Sequence, residues 1–329
     1  MDVLREYLYV DLEKVKGLAS QLYEGIPEAT EESRKTTGRT QLGSRYVGLI
    51  SKDRESDVMD RKLIVDALFP AIERDLEAEG YLQDVSDTVS VAENYGSLIV
   101  DDCPPGSIVR ITSQGRIVDP RYFARTMVGF ATAVNGFTLL DPETPRQSGK
   151  SRPKGQPSRA SSVDETEGIP DLPQGFFGDG GGITSSTIRG MVKVMRGIYP
   201  PAVSMILSPA GVEGPSISIR LEEGRQHLDA EPETLFARYG LGLQEWTVVG
   251  MIGYHAVAPE GAIVTDVLDE DKRINRGKLI TMVNNFLDSM SGHGLVEMPQ
   301  APGFSVVPLA VYRVIPRSSE SRALEGRDG

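Results

Sequence analysis

The chain alternates between stretches with legible hydrophobic periodicity and stretches with none. Arg5–Val10 (REYLYV) reads as a strand. Asp11 stands where a helix N-cap belongs, and Leu12, Val15, Leu18, Ala19 and Leu22 then fall on one helical face. Residues 57–79 predict a longer helix. Its stripe is Met59, Leu63, Ile64, Ala67, Leu68, Ala71, Ile72 and Leu76, with a kink or split at Pro70 and a stop at Gly80. Ser97–Asp101 and Ile108–Ser113 read as strands around Pro104-Pro105-Gly106. Asp119-Pro120 opens a helix carrying Tyr122, Phe123, Met127, Phe130 and Val134.

Beyond the middle, Thr184–Ile198 predicts a helix with Ile188, Met191, Val192 and Met195 inward. Val203–Leu207 and the strictly alternating Ser216–Leu221 predict strands. Glu231-Pro232 opens a short helix ending at Gly240. Trp246–His255 reads as a strand in which Gly250 and Gly253 admit either a close backbone approach or a bulge. Asp271–Met290 predicts an amphipathic helix built on Ile274, Leu279, Met282, Val283, Phe286 and Leu287. Phe304–Ile315 closes as a strand, with Pro308 demanding an edge or a bulge.

This order, without regular βαβ spacing, predicts an α+β fold of mixed sheets and amphipathic helices. Half of residues 141–182 are Gly, Pro, Ser or Thr. There a basic run (Arg146, Lys150, Arg152, Lys154, Arg159) precedes an acidic one (Asp164, Glu165, Glu167, Asp171). Such a segment buries too little apolar surface to offset the entropy of ordering it. The expected organisation is therefore an N-terminal half at 1–140, a disordered linker at 141–182, a C-terminal half at 183–316 and a frayed tail at 317–329.

Charge narrows the function classes. The 329 residues carry 35 basic and 47 acidic side chains, net −12. That balance argues against bulk binding of nucleic acid or anionic lipid, while leaving room for a local basic patch. No apolar run approaches the length of a membrane span. The opening MDVLREYLYVDLEK matches neither a signal nor a transit peptide. A single cysteine excludes intrachain disulfides and fits a reducing, cytoplasmic setting.

Local chemistry is sparse. His227, His255 and His293 lie too far apart for a paired metal motif. Cys103 has no neighbouring base and reads as a passive thiol. A glycine-rich turn before a helix is the geometry that holds phosphate, which makes Gly180, Gly181, Gly182 and Ser185 the nucleotide-site candidates. The preceding strand and the phosphate-loop lysine are missing. Asp266, Asp269 and Asp271 are the divalent-metal candidates, with spacing that departs from the calcium loop. Neither motif specifies a cofactor, and none is expected.

Three segments carry a resemblance. They are the opening REYLYVDLEKVKGLASQL, the middle GSIVRITSQGRIVDPRYFA and the closing SVVPLAVYR. Arg5, Glu6, Tyr7, Leu8, Tyr9 and Asp11, with Pro308, Leu309, Ala310, Val311, Tyr312 and Arg313, resemble the terminal motifs of an uncharacterised bacterial family. Some members look like the small component of the Dodola anti-phage system, whose other component resembles a ClpB-type AAA+ ATPase. The resemblance implies a cytosolic, non-enzymatic adaptor or sensor in antiviral defence with that ATPase as partner. It supplies no catalytic residues. Arg5, Glu6, Asp11, Tyr312 and Arg313 become interaction candidates because the motifs concentrate polar groups there. The alternatives are an effector enzyme with a nucleotide or metal site, and a self-assembling structural protein that forms homo-oligomers.

Overall fold

A computed structural model describes residues 3–23, 59–140, 184–221, 227–258, 273–292 and 298–316. The expected linker and frayed tail lie outside these residues. The fold is α+β. The strands are β1 (Arg5–Val10), β2 (Leu82–Asp84), β3 (Ile108–Val118), β4 (Val203–Leu207), β5 (Ile217–Leu221), β6 (Gln244–His255) and β7 (Phe304–Val314). The helices are α1 (Leu12–Leu22), α2 (Met59–Ala78), α3 (Ser86–Val89), α4 (Leu98–Asp102), α5 (Pro120–Leu140), α6 (Ser185–Ile198), α7 (Pro232–Tyr239) and α8 (Arg276–Gly292).

The chain forms two compact units, and they are not the expected halves. One comprises Met1–Val118, Val203–Gly294 and Met298–Gly329; the other comprises Asp119–Ala202 with Leu295–Glu297. Strands from both sides of the central stretch share one sheet, because β3 pairs with β4 and β6. Residues 1–140 alone could not satisfy the edges of β3.

In the larger unit five strands close a ring. β3 pairs antiparallel with β4, β4 with β5, β7 with β6 and β6 with β3, while β5 and β7 run parallel. Alternation along β3, β4 and β5, joined by residues of the doubly covered β6 and β7, fills its interior. Val109, Ile111, Val203, Met205, Leu207, Ile217, Ile219, Leu221, Val248 and Val311 have no exposed surface. Each contributes roughly 1.5–3 kcal/mol by leaving water. β3 is long enough to serve two partners, and at Gly115 it pairs with both Leu207 of β4 and Gln244 of β6. A Cβ at Gly115 would stand 2.5 Å from Leu207 Cδ2 and 3.1 Å from the Ile206 carbonyl oxygen, so this crossing needs glycine.

β1 extends the ring's wall beside β7, and β2 extends it beside β3. Against this wall lie α1 and α2. Their Leu12, Val15, Ala19, Leu68, Phe69, Ile72 and Leu76 form one core with Val10, Leu82, Val249, Leu309, Ala310 and Tyr312. Asp11 caps α1 as expected, accepting from the Lys14 amide at 2.9 Å. Helix α2 runs unbroken through Pro70, whose neighbours Phe69, Ala71 and Ile72 are buried. Gly80 follows it with φ +78°.

One further expectation is corrected. Ser97–Asp101 is not a strand, because Leu98–Asp102 makes a short helix that buries Ile99 and exposes Leu98 and Val100. A short apolar run carries no decisive period. Of the two placements open to Pro308 the structure takes the bulge: β7 is flanked on both sides, and the proline sits opposite Gly250 where the β6–β7 register shifts. A Cβ on Gly250 would come 2.5 Å from the Val307 carbonyl oxygen, so the bulge accounts for that glycine.

The smaller unit pairs α5 with α6 through Ala124, Ala131, Ile188 and Val192, flanked by Met127, Val128 and Met195. Thr184 forms a capping box with Thr187 at the start of α6. Arg121 Nε donates to the Tyr199 carbonyl oxygen at 2.7 Å. Met191, expected inward, is exposed, and so is Phe130. The seam is short, with two alanines facing Ile188 and Val192, and other large apolar side chains lie outside it.

Candidate functional site

The terminal motifs build two polar clusters in the larger unit, on opposite faces of β1 and β7. Alternation decides the division. Tyr7 pairs with Tyr312, and Glu6 pairs with Arg313.

On the helix-covered face the centre is Glu73 of α2, which is 1% exposed. Its Oε2 lies 2.6 Å from Arg5 Nη1. Its Oε1 accepts from Arg110 Nε and from the Tyr312 hydroxyl, each at 2.8 Å. Arg110 continues outward to Glu77, donating from Nη2 at 2.9 Å and Nη1 at 3.2 Å, and its Nη1 lies 3.5 Å from Asp84 Oδ2. The Arg5 guanidinium stacks 4.7 Å above the Tyr312 ring. Tyr7, Phe69 and Tyr312 pack edge to face around it.

Burial pushes the Tyr312 hydroxyl well above its ordinary range, and the Glu73 charge adds to this, so Tyr312 stays a donor. Burial works against the charge on Arg110, but the bonds and charges of Glu77 and Glu73 outweigh it and raise its pKa. A carboxylate held by two guanidinia and a phenol is a lock between α2 and three strands. Removing one member leaves charge uncompensated in a dry site.

On the other face Arg313 donates from Nε to Glu6 Oε2 at 3.2 Å and from Nη1 to Gln244 Oε1 at 2.8 Å. Its guanidinium lies 4.7 Å over the Tyr239 ring and 5.3 Å from the Trp246 ring. Tyr239, brought by α7, donates to Glu6 Oε1 at 3.1 Å and meets Trp246 edge-on. The hydrogen bond from Arg313 holds Glu6 below the usual carboxylate range. Burial, reinforced by Glu6, pushes Tyr239 up to about 12. Beside this cluster lies an open hollow of about 460 Å³ lined by Glu6, Gln244, Glu245, Arg313, Val314, Ile315 and Pro316. There the half-exposed Glu6–Arg313 ion pair stands beside the apolar side chains of Val314 and Ile315.

Residues 4–312 match the domain family of unknown function DUF6414. The chain belongs to that family. No curated protein and no solved structure matches it. In this DUF6414 member Arg5 and Tyr312 join at Glu73, Glu6 and Arg313 join at the hollow, and Asp11 stands apart as the α1 cap, also ion-paired with Lys14. Gly180, Gly181, Gly182, Asp266, Asp269 and Asp271 lie outside the described residues, as does the Ser185 side chain. Cys103 is buried, which raises its pKa. His255 Nε2 lies 2.8 Å from the Cys103 carbonyl oxygen.

Sequence reasoning missed Glu73, Arg110, Tyr239 and Gln244. Glu73 alone left a signal. It shares the buried arc of α2 with Phe69, Ile72 and Leu76, where an acid calls for a cationic partner.

Proposed function

We propose that this protein is an interaction protein whose α5–α6 unit engages a protein partner. One observation carries the reading. Around a small buried seam, the unit exposes Phe137 (71%), Leu140 (78%) and Val194 (55%), together with Phe130 and Met191. Large apolar side chains gathered on a short two-helix unit mark a surface to be covered. The partner is a ClpB-like AAA+ ATPase and the setting is cytoplasmic anti-phage defence, as the resemblance of the terminal motifs implies. The larger unit serves as a rigid platform, tied across its wall by Glu73.

The test is co-purification with the ATPase from the native host. Phe137→Asp and Val194→Asp should abolish recovery of the ATPase while leaving the melting temperature unchanged. Equal recovery with both variants would remove the reading.

A further inference from the structure

Numbered along the chain as one to five, the strands of the ring follow the order 1-2-3-5-4, with 3 and 5 parallel and α7 between 3 and 4. That connectivity is shared with the Greek-key barrels that bind oligonucleotides and oligosaccharides on the face of strands 2 and 3. Connectivity by itself assigns no ligand. The residues on this face carry the inference further.

Strands 2 and 3 of the ring are β4 and β5. Their odd-numbered residues fill the barrel, so their even-numbered residues point outward beside the last turn of β3. Register sets Arg116 against Ile206, and Ile206 against Ser218. In the next row Val118 faces Ser204, and Ser204 faces Arg220. In a chain of net charge −12, the described residues of this face are two arginines, two serines, Ile206 and Val118, with Arg220 and Ser204 already engaged by neighbours and Arg116 left over. Strand spacing and rise place the two arginine backbones about 12 Å apart.

Arg116 differs from the arginines of the polar clusters. Arg5, Arg110 and Arg313 are each held by carboxylates. Arg116 is half-buried, and its guanidinium makes no hydrogen bond or ion pair within the structure described. Its fork of donors matches a phosphate. Ser204 and Ser218 add hydroxyls of the kind that position a phosphate backbone.

We infer that the outer face of β3, β4 and β5 binds the phosphate backbone of single-stranded nucleic acid, with Arg116 as its principal contact. Among its described residues the face carries no aromatic side chain, so the contacts go to the phosphate backbone and carry no sequence information. This site is independent of the α5–α6 surface, and either can fail without the other.

The probes are fluorescein-labelled oligothymidylate and oligouridylate of about 20 nucleotides, read by anisotropy across a salt series with the full chain. Arg116→Ala should weaken binding about tenfold and lower the salt slope by about 0.7. Arg116→Lys should retain most of the affinity. The melting temperature of Arg116→Ala should match the parent, because the guanidinium bonds to nothing among the described residues. The inference is overturned if the parent gives no anisotropy change at low salt. It is equally overturned if Arg116→Ala binds like the parent, or if a polyglutamate peptide competes as well as the oligonucleotide does.

Discussion

Tyr312 on the last strand donates its hydroxyl to Glu73 at 2.8 Å, across 239 residues of chain. The bond joins the closing motif to a helix, and Arg5 from the opening motif meets the same carboxylate. The two terminal motifs therefore act as one structural device, which fastens α2 to β1, β3 and β7.

Glu73→Ala should cost about 3–5 kcal/mol, since it leaves the Arg5 and Arg110 guanidinia facing a dry cavity. Tyr312→Phe should cost less, about 1.5–3 kcal/mol, the value of one hydrogen bond to a charged group, because both guanidinia still hold Glu73. Urea unfolding of both singles and the double would show it. Additivity would mean that the pair is not coupled.

The Glu6–Arg313 pair has a defined pH dependence. Glu6 titrates lower when folded than when unfolded, where a glutamate sits near ~4.3. Its stabilisation is thus full above that unfolded value and lost as pH falls through the folded one. Both side chains are partly exposed, so the contribution stays below about 1 kcal/mol. Glu6→Gln should lower stability at pH 7 and have no effect at pH 2. An equal loss at both pH values would contradict the assignment.

Arg313 stacks beside the sole tryptophan, so Trp246 fluorescence reports on this cluster. Arg313→Ala should change the Trp246 emission in the native state, whereas Arg116→Ala should leave it unchanged. An unaltered spectrum in Arg313→Ala would mean that the stacking does not exist in solution.

Gly250→Ala should destabilise by about 2–4 kcal/mol, because the added methyl collides with the Val307 carbonyl of the bulge. Thermal melting checks it, and a loss under 0.5 kcal/mol would place the bulge elsewhere.

Much of this architecture was legible from local pattern. β1, α1, α6, α7 and β7 follow periods and caps contained in a few residues. What escaped depends on distance along the chain. Ring closure needs Ile108–Gly115 to pair with Gln244–Met251, and no local period encodes a partner so remote. The same holds for the site. Arg5, Glu6, Tyr312 and Arg313 stand out as polar residues in strand motifs, but their division between two faces follows from the β1–β7 register. Helix α8 shows the reverse. Its apolar stripe is plain in the sequence, yet Val283, Phe286 and Leu287 of that stripe are exposed. Period identifies an apolar face without naming what covers it.

The most direct test of the central claim compares ATPase recovery by the tagged chain and by its Phe137→Asp variant, expressed at equal level in the native host with and without phage. The account expects a ClpB-like ATPase with the parent chain, and none with a variant that melts at the same temperature. Undiminished recovery by the variant, or a parent chain that recovers no ATPase under either condition, would contradict it.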